Sequence, residues 1–169
     1  CCDGTSNEIT TDSTNVLRLY RMLQRNDQQV AYYDSGVGTL VDLRALTGWG
    51  RFISKKLDAA IGQTVRDNWI EAYRFLAENY VVGDKIYLFG FSRGAYTARA
   101  IAGGIRMCGI LRRELIGLAA LAWNVYSNDD DHLPVTARFH GGNRFRSYFA
   151  VEPTTPIHFV GVWDTVSSF

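Results

Sequence analysis

LFGFSRGAYTAR, residues 88–99, is the stretch on which the fold turns. It sets Gly90-x-Ser92-x-Gly94 after a short apolar run, KIYLFG (85–90), and before an Ala-rich run of helical character, 94–107. Gly-x-Ser-x-Gly between a strand and a helix is the pattern of a strained turn that projects a serine hydroxyl, the nucleophile elbow. Small residues are needed on both sides, because bulk at 90 or 94 would strike the neighbouring strand and helix. The helix that follows aims its amino terminus at the serine. Its unpaired N–H groups and its dipole favour a developing oxyanion. Ser92 is the candidate nucleophile. The competing reading is a Gly-Ser turn that only packs tightly.

Working outward, residues 63–80 place Val65, Trp69, Tyr73, Leu76 and Tyr80 on one helical face. Residues 14–25 and 112–126 also have helical spacing. QVAYY (29–33) is strand-like and runs into the Gly-rich turn DSGVGT (34–39). IHFVGVW (157–163) is a second short apolar strand. Residues 40–61 read as a loop with a helical piece, and 127–156 as polar and irregular. Alternating strands and helices predict a mostly parallel sheet with helices on both faces. Ligands in such folds sit at the carboxyl ends of the strands. Those ends carry Asp3-Gly4-Thr5, Asp34-Ser35-Gly36, the Gly90–Gly94 turn and Asp164-Thr165. Thr5, Asp34, Gly36, Gly90 and Gly94 are expected to support or shape the site.

An α/β-hydrolase orders its triad as serine, acid, histidine. Asp164 follows the next apolar strand after Ser92, at that strand's carboxyl end, and is the expected acid. Its other reading is a cap or Asx-turn. His132, His140 and His158 all precede Asp164, so the base is expected beyond residue 169. The oxyanion hole is expected from the N–H of Arg93 and from the turn Asp3-Gly4-Thr5. There Gly4 permits close approach and Asp3 shapes the loop. A plain structural turn, or a metal site shared with Asp34, are the alternatives. The Asp-x-Asp-Gly-Thr signature of a phosphatase fails, because Cys1 stands where its nucleophile should be. The fold class expected is α/β, hydrolase-like and incomplete. Residues 1–169 are expected to form one partial catalytic domain with both ends cut, with 111–156 as a cap or loop insertion.

Composition narrows the function. A net charge of +1 on 169 residues gives no pull toward nucleic acid. No stretch reaches the ~20 apolar residues that span a bilayer, and no signal peptide is visible. Three cysteines, two of them adjacent, make a poor disulfide framework, and neither CxxC nor Cys/His ligand spacing occurs. Cys1 and Cys2 read as strand residues, with an N-terminal Cys nucleophile as the remote alternative, and Cys108 reads as core. Neither a metal nor an organic cofactor is expected.

CDGTSN (2–7), YYDSGVGT (32–39), GFSRGAYTARAIAGGI (90–105) and HFVGVWDTVSSF (158–169), in this order, resemble the family known as domain of unknown function 2235. It includes phospholipase effectors delivered by bacterial type VI secretion. The resemblance implies an α/β-hydrolase fold, Ser92 as nucleophile, Asp164 as triad acid and a histidine after the WDTV segment. It implies hydrolysis of membrane glycerophospholipids, of A1 or A2 type, through an acyl-enzyme. It also implies peripheral membrane contact, a bacterial cytoplasmic origin with export to a target periplasm, and a secretion-apparatus or immunity partner. Ser6 departs from the family, where a bulky aromatic is common. The alternatives are a small-molecule esterase or acyltransferase on the same fold, or a core inactive without its missing C-terminal part. RFHGGNRFR (138–146) reads either as a headgroup contact or as a solvated loop. Leu111–Trp123 reads either as a cap or as ordinary packing. Arg93 either faces a phosphate or pairs with a carboxylate.

Overall fold

A computed structural model describes residues 1–4, 13–36, 53–127 and 135–165, with backbone alone over 53–61 and at 135 and 138. Thr5, Ser6, the 37–39 end of the Gly-rich turn, the stretch 40–52 and His132 lie outside these residues.

Helix α1 spans Asn15–Met22 and starts where Thr14 accepts the Leu17 N–H at 3.1 Å. That N-cap bond satisfies one of the helix's orphan donors. Helix α2 spans Ile53–Asn79, so the ambiguous residues from 53 onward are helical and extend the expected 63–80. Gly62 lowers the sequence signal there, but its intrinsic cost is only about 1 kcal/mol. Strand β1 is Ile86–Phe91, helix α3 is Arg93–Cys108 and strand β2 is Ile157–Trp163. The expected helix at 112–126 divides into a 3₁₀ segment, Arg113–Leu118, and helix α4, Ala119–Ser127.

The reading of 127–156 as irregular is corrected: Val135–Phe149 forms helix α5. Gly141 and Gly142 argue against a helix in isolation, but packing decides otherwise. Gly142 lies against Met107 of α3, with no room for a Cβ, and Phe145 is buried. The 138–146 segment is therefore not a loop. Arg146 is used internally, donating to Arg106 O at 2.9 Å and to Asn143 Oδ1 at 2.7 Å.

β1 and β2 pair in parallel, with Leu88 opposite Val160 and Phe91 opposite Trp163. Cys2 adds single parallel bridges to Gly90 on one side and to Asp34 on the other. The backbone shows how one short segment serves two neighbours. Cys2 N–H donates to Phe89 O at 2.8 Å, and Cys2 O accepts from Phe91 N–H at 3.1 Å. Facing the other way, Asp34 N–H donates to Cys1 O at 2.9 Å and Asp3 N–H donates to Asp34 O at 2.8 Å. Residues 29–33, expected as a strand, make no longer ladder than the Asp34 bridge.

α3 lies against both strands, and α2, α4 and α5 pack on α3. A Cβ at Gly90 would strike Gly94 O and Ala95 Cα, so Gly90 faces α3. Ile86 and Leu88 share that face by the period-two alternation of a strand and are buried. The opposite face is more open, with Tyr87 49% and Phe159 50% exposed. Leu111, Ala119 and Ala122 are buried with the core cluster. Its centre is Trp69, 0% exposed, stacked on Tyr73 at 4.7 Å and parallel to Tyr126 at 6.1 Å between ring centroids. Gly104 of α3 leaves the room for that indole.

Two identical substitutions in helices should therefore have opposite signs. Gly62→Ala meets nothing within 4 Å and should raise stability by about 0.5–1 kcal/mol through helix propensity. Gly104→Ala drives a Cβ into Trp69 and should cost about 1–3 kcal/mol. Urea unfolding midpoints of the two variants check both.

Candidate active site

Ser92 occupies the single residue between the end of β1 and the start of α3. Its backbone is at φ 55° and ψ −120°, in the half of conformational space that disfavours L-residues. The turn is held by hydrogen bonds. Ser92 N–H donates to Trp163 O at 3.0 Å, and Ser92 O accepts from Ala95 N–H at 3.1 Å. The Ser92 side chain makes no capping bond to α3. The first N–H groups of the helix, on Arg93 and Gly94, meet no acceptor among the described residues. Gly94 lies so close to the Cys2 and Asp3 carbonyls that a Cβ would collide with both.

Asp164 comes directly after β2, is exposed, and has φ 44°. The bond from Ser92 N–H to Trp163 O therefore ties the serine to the residue that precedes Asp164. Asp34 and Gly36 reach the same end of the sheet. Asp34 Oδ1 accepts the Gly36 N–H at 2.9 Å, and Gly36, at φ 65°, packs its Cα on the Asp3 carbonyl. Burial raises the Asp34 pKa, and the Gly36 N–H opposes that rise.

Asp3 is 1% exposed. Its Oδ1 accepts the Gly4 N–H at 2.8 Å, and its Oδ2 accepts the hydroxyls of Tyr33, at 2.7 Å, and Thr14. Gly4 sits where a Cβ would come within 3.1 Å of Ser92 Cβ. Gly4 is thus beside the serine, but the two described donors of the turn are committed. Asp3 N–H goes to Asp34 O and Gly4 N–H goes to Asp3 Oδ1. Thr14 and Tyr33 were not expected at the site. They lie 11 and 30 residues from Asp3, and no local pattern joins them.

Arg93 is partly buried, and desolvation lowers its guanidinium pKa. It lines a small cleft with Asp3, Thr64, Asn68 and Thr97. The ion pairs among the described residues, Arg66–Asp67 and Arg112–Glu114, do not involve it. A larger groove of about 910 Å³ lies elsewhere, along Ile86–Phe89, Tyr32 and Tyr80. His158 starts β2, at the end opposite Asp164, with its ring 5.0 Å from that of Tyr87. His140 is an exposed residue of α5. Among the described residues no three His, Cys, Asp or Glu side chains group to hold a metal ion. No helix among them is long and apolar enough to cross a membrane.

Fold and site together define an α/β domain whose serine-bearing turn lies at the carboxyl end of parallel strands. The chain matches the family described as "T6SS, Phospholipase effector Tle1-like, catalytic domain" over residues 1–169, and it belongs to that family. It is also 32% identical over 179 residues to a curated protein of Saccharomyces cerevisiae (strain ATCC 204508 / S288c), "Uncharacterized protein YEL023C". That match covers 99% of this chain but 26% of the yeast protein, so the chain spans about a quarter of that relative's length. No solved structure gives a significant match.

The sheet beneath the site makes stability depend on alkaline pH. Burial pushes the Cys2 thiol from its ordinary 9.0 up to about 11. Above pH 9.0 an unfolded Cys2 loses its proton while the folded one keeps it. The unfolded state then binds fewer protons, so stability falls as pH rises, by at most about 1.4 kcal/mol per pH unit for this group. The loss should run from pH 9.0 to about 11. Urea midpoints across that range should fall less steeply in Cys2→Ala than in the parent.

Proposed function

We propose that this domain is a serine esterase that cleaves phospholipid carboxylic esters through an acyl-enzyme. Membership of the phospholipase effector family supports a lipid ester as substrate. The observation that carries the serine mechanism is Ser92 itself. It is a non-glycine residue at φ 55°, its N–H is held by Trp163 O, and its hydroxyl is not spent on capping α3. Strained backbone of this kind concentrates at functional sites.

In this reading Ser92 Oγ attacks the ester carbonyl and its proton passes to a histidine. Asp164 accepts from that histidine's other N–H and fixes its tautomer. The positions of His140 and His158 put neither ring beside Ser92, and all three histidines of residues 1–169 precede Asp164, so by the serine, acid, histidine order we assign the base to a histidine after Asp164 that this stretch does not contain. The N–H of Arg93 stabilises the tetrahedral oxyanion at the positive end of α3. Asp3 and Gly4 have already committed their N–H groups. The second donor in this reading is the N–H of Thr5. The alcohol departs as the lysolipid, and water then releases the fatty acid.

Fluorophosphonate labelling of the full-length protein, read by intact mass, tests this. A single adduct is expected on the parent and none on Ser92→Ala. Asp164→Asn should lower phospholipid turnover by about 10⁴-fold with the fold intact. A folded parent that takes no adduct would sink the serine mechanism. Labelling with hydrolysis of short soluble esters only would leave a small-molecule esterase instead.

A further inference from the structure

Asp3 is a buried carboxylate at the centre of the site, and a buried charge is tolerated only where donors surround it. Its described bonds tie together three separate pieces of chain. Gly4 N–H belongs to the turn beside Ser92, the Thr14 hydroxyl belongs to the start of α1, and the Tyr33 hydroxyl belongs to the segment that leads to Asp34. Each outer partner is itself fixed. Thr14 Oγ1 accepts the Leu17 N–H at 3.1 Å while its own proton goes to Asp3. The Tyr33 ring lies 5.1 Å from that of Tyr20 on α1. Two anchored hydroxyls therefore converge on Asp3 Oδ2, and the opposite oxygen, Oδ1, holds the Gly4 N–H. Gly4 in turn stands against Ser92 Cβ.

We propose that Tyr33 and Thr14 are positioning residues for the reaction at Ser92: by clamping Asp3 Oδ2 they orient the carboxylate that turns the Gly4 backbone against the serine. This rests on the reading of Ser92 as nucleophile and extends it to side chains that touch no substrate. Preorganised geometry is what such a clamp supplies, and a misplacement of ~1 Å near a reacting centre can cost about 100-fold in rate.

The test uses the full-length protein and two paired substitutions. Tyr33→Phe keeps the ring on Tyr20 and removes only the hydroxyl. Thr14→Ser keeps the hydroxyl and Thr14→Val removes it. The readouts are the second-order rate of fluorophosphonate labelling and, separately, kcat and KM for an ester substrate, with far-UV circular dichroism to establish the fold. Tyr33→Phe and Thr14→Val should each lower labelling rate and kcat by about 10- to 100-fold, with little change in KM. Thr14→Ser should react like the parent. Asp3→Asn should cost less in the Tyr33→Phe background than alone, because the two act through one unit. Folded Tyr33→Phe and Thr14→Val variants that label at the parent rate would overturn the proposal while Ser92→Ala still abolishes labelling. If Tyr33→Phe does not fold, the Thr14 pair decides. Labelling that survives Ser92→Ala would overturn the serine reading and this proposal together.

Discussion

The closeness of α3 to the sheet at Gly90 and Gly94 is the constraint from which the rest follows. The start of α3 leans on β1 at Gly90 and on the Cys2 and Asp3 carbonyls at Gly94, with no room for a Cβ at either place. The chain must therefore leave β1 and enter α3 within one residue. Ser92 absorbs that change of direction at φ 55°. Such a conformation costs about 1–3 kcal/mol for a residue with a Cβ. The Ser92 N–H to Trp163 O bond and the helix bonds accepted by Ser92 O oppose that cost. Each contributes about 0.5–1.5 kcal/mol net, so a few of them are enough to hold the turn.

The segment Cys1–Asp3 is the second fixed point. It lies between β1 and Asp34 and alternates its backbone bonds between them. Its pairing on both edges satisfies the backbone, and the side chains of Cys2 and Asp3 are both buried. For Cys2 that is ordinary for a small apolar side chain. For Asp3 it requires hydrogen bonding, which α1 and Tyr33 supply from a distance. The buried acid thereby joins the sheet, the first helix and the serine turn into one polar unit.

Much of this was legible in the sequence, because the signals were local. KIYLFG, the Ala-rich run after it and IHFVGVW each declare their structure within a dozen residues, and β1, α3 and β2 lie at or within two residues of the expected spans. The convergence of Asp3, Asp34, Ser92 and Asp164 followed from reading all four as carboxyl ends of parallel strands. What was not legible depends on partners remote in sequence. α5 hides behind Gly141-Gly142, and only the fit of Gly142 on Met107 explains a small residue there. The clamp on Asp3 spans 11 and 30 residues, and neither Thr14 nor Tyr33 carries a pattern that points to it. The commitment of the Asp3 and Gly4 N–H groups is likewise a three-dimensional fact. It depends on where Asp34 O and Asp3 Oδ1 fall, and a turn motif such as Asp-Gly-Thr leaves both open.

Two of the described residues other than glycine have positive φ, Ser92 and Asp164, and one hydrogen bond joins their neighbourhoods through Trp163 O. Glycine would adopt either conformation at less cost, and a chain selected for stability alone would place it there. Aspartate tolerates the left-handed region better than most residues, so the strain at 164 is modest, while that at 92 is larger. The strained pair sits at the carboxyl end of the sheet. A proposed reaction that needs a hydroxyl at 92 and a carboxylate at 164 gives a reason for both exceptions at once. A tight turn selected only for packing gives no reason for a serine at 92.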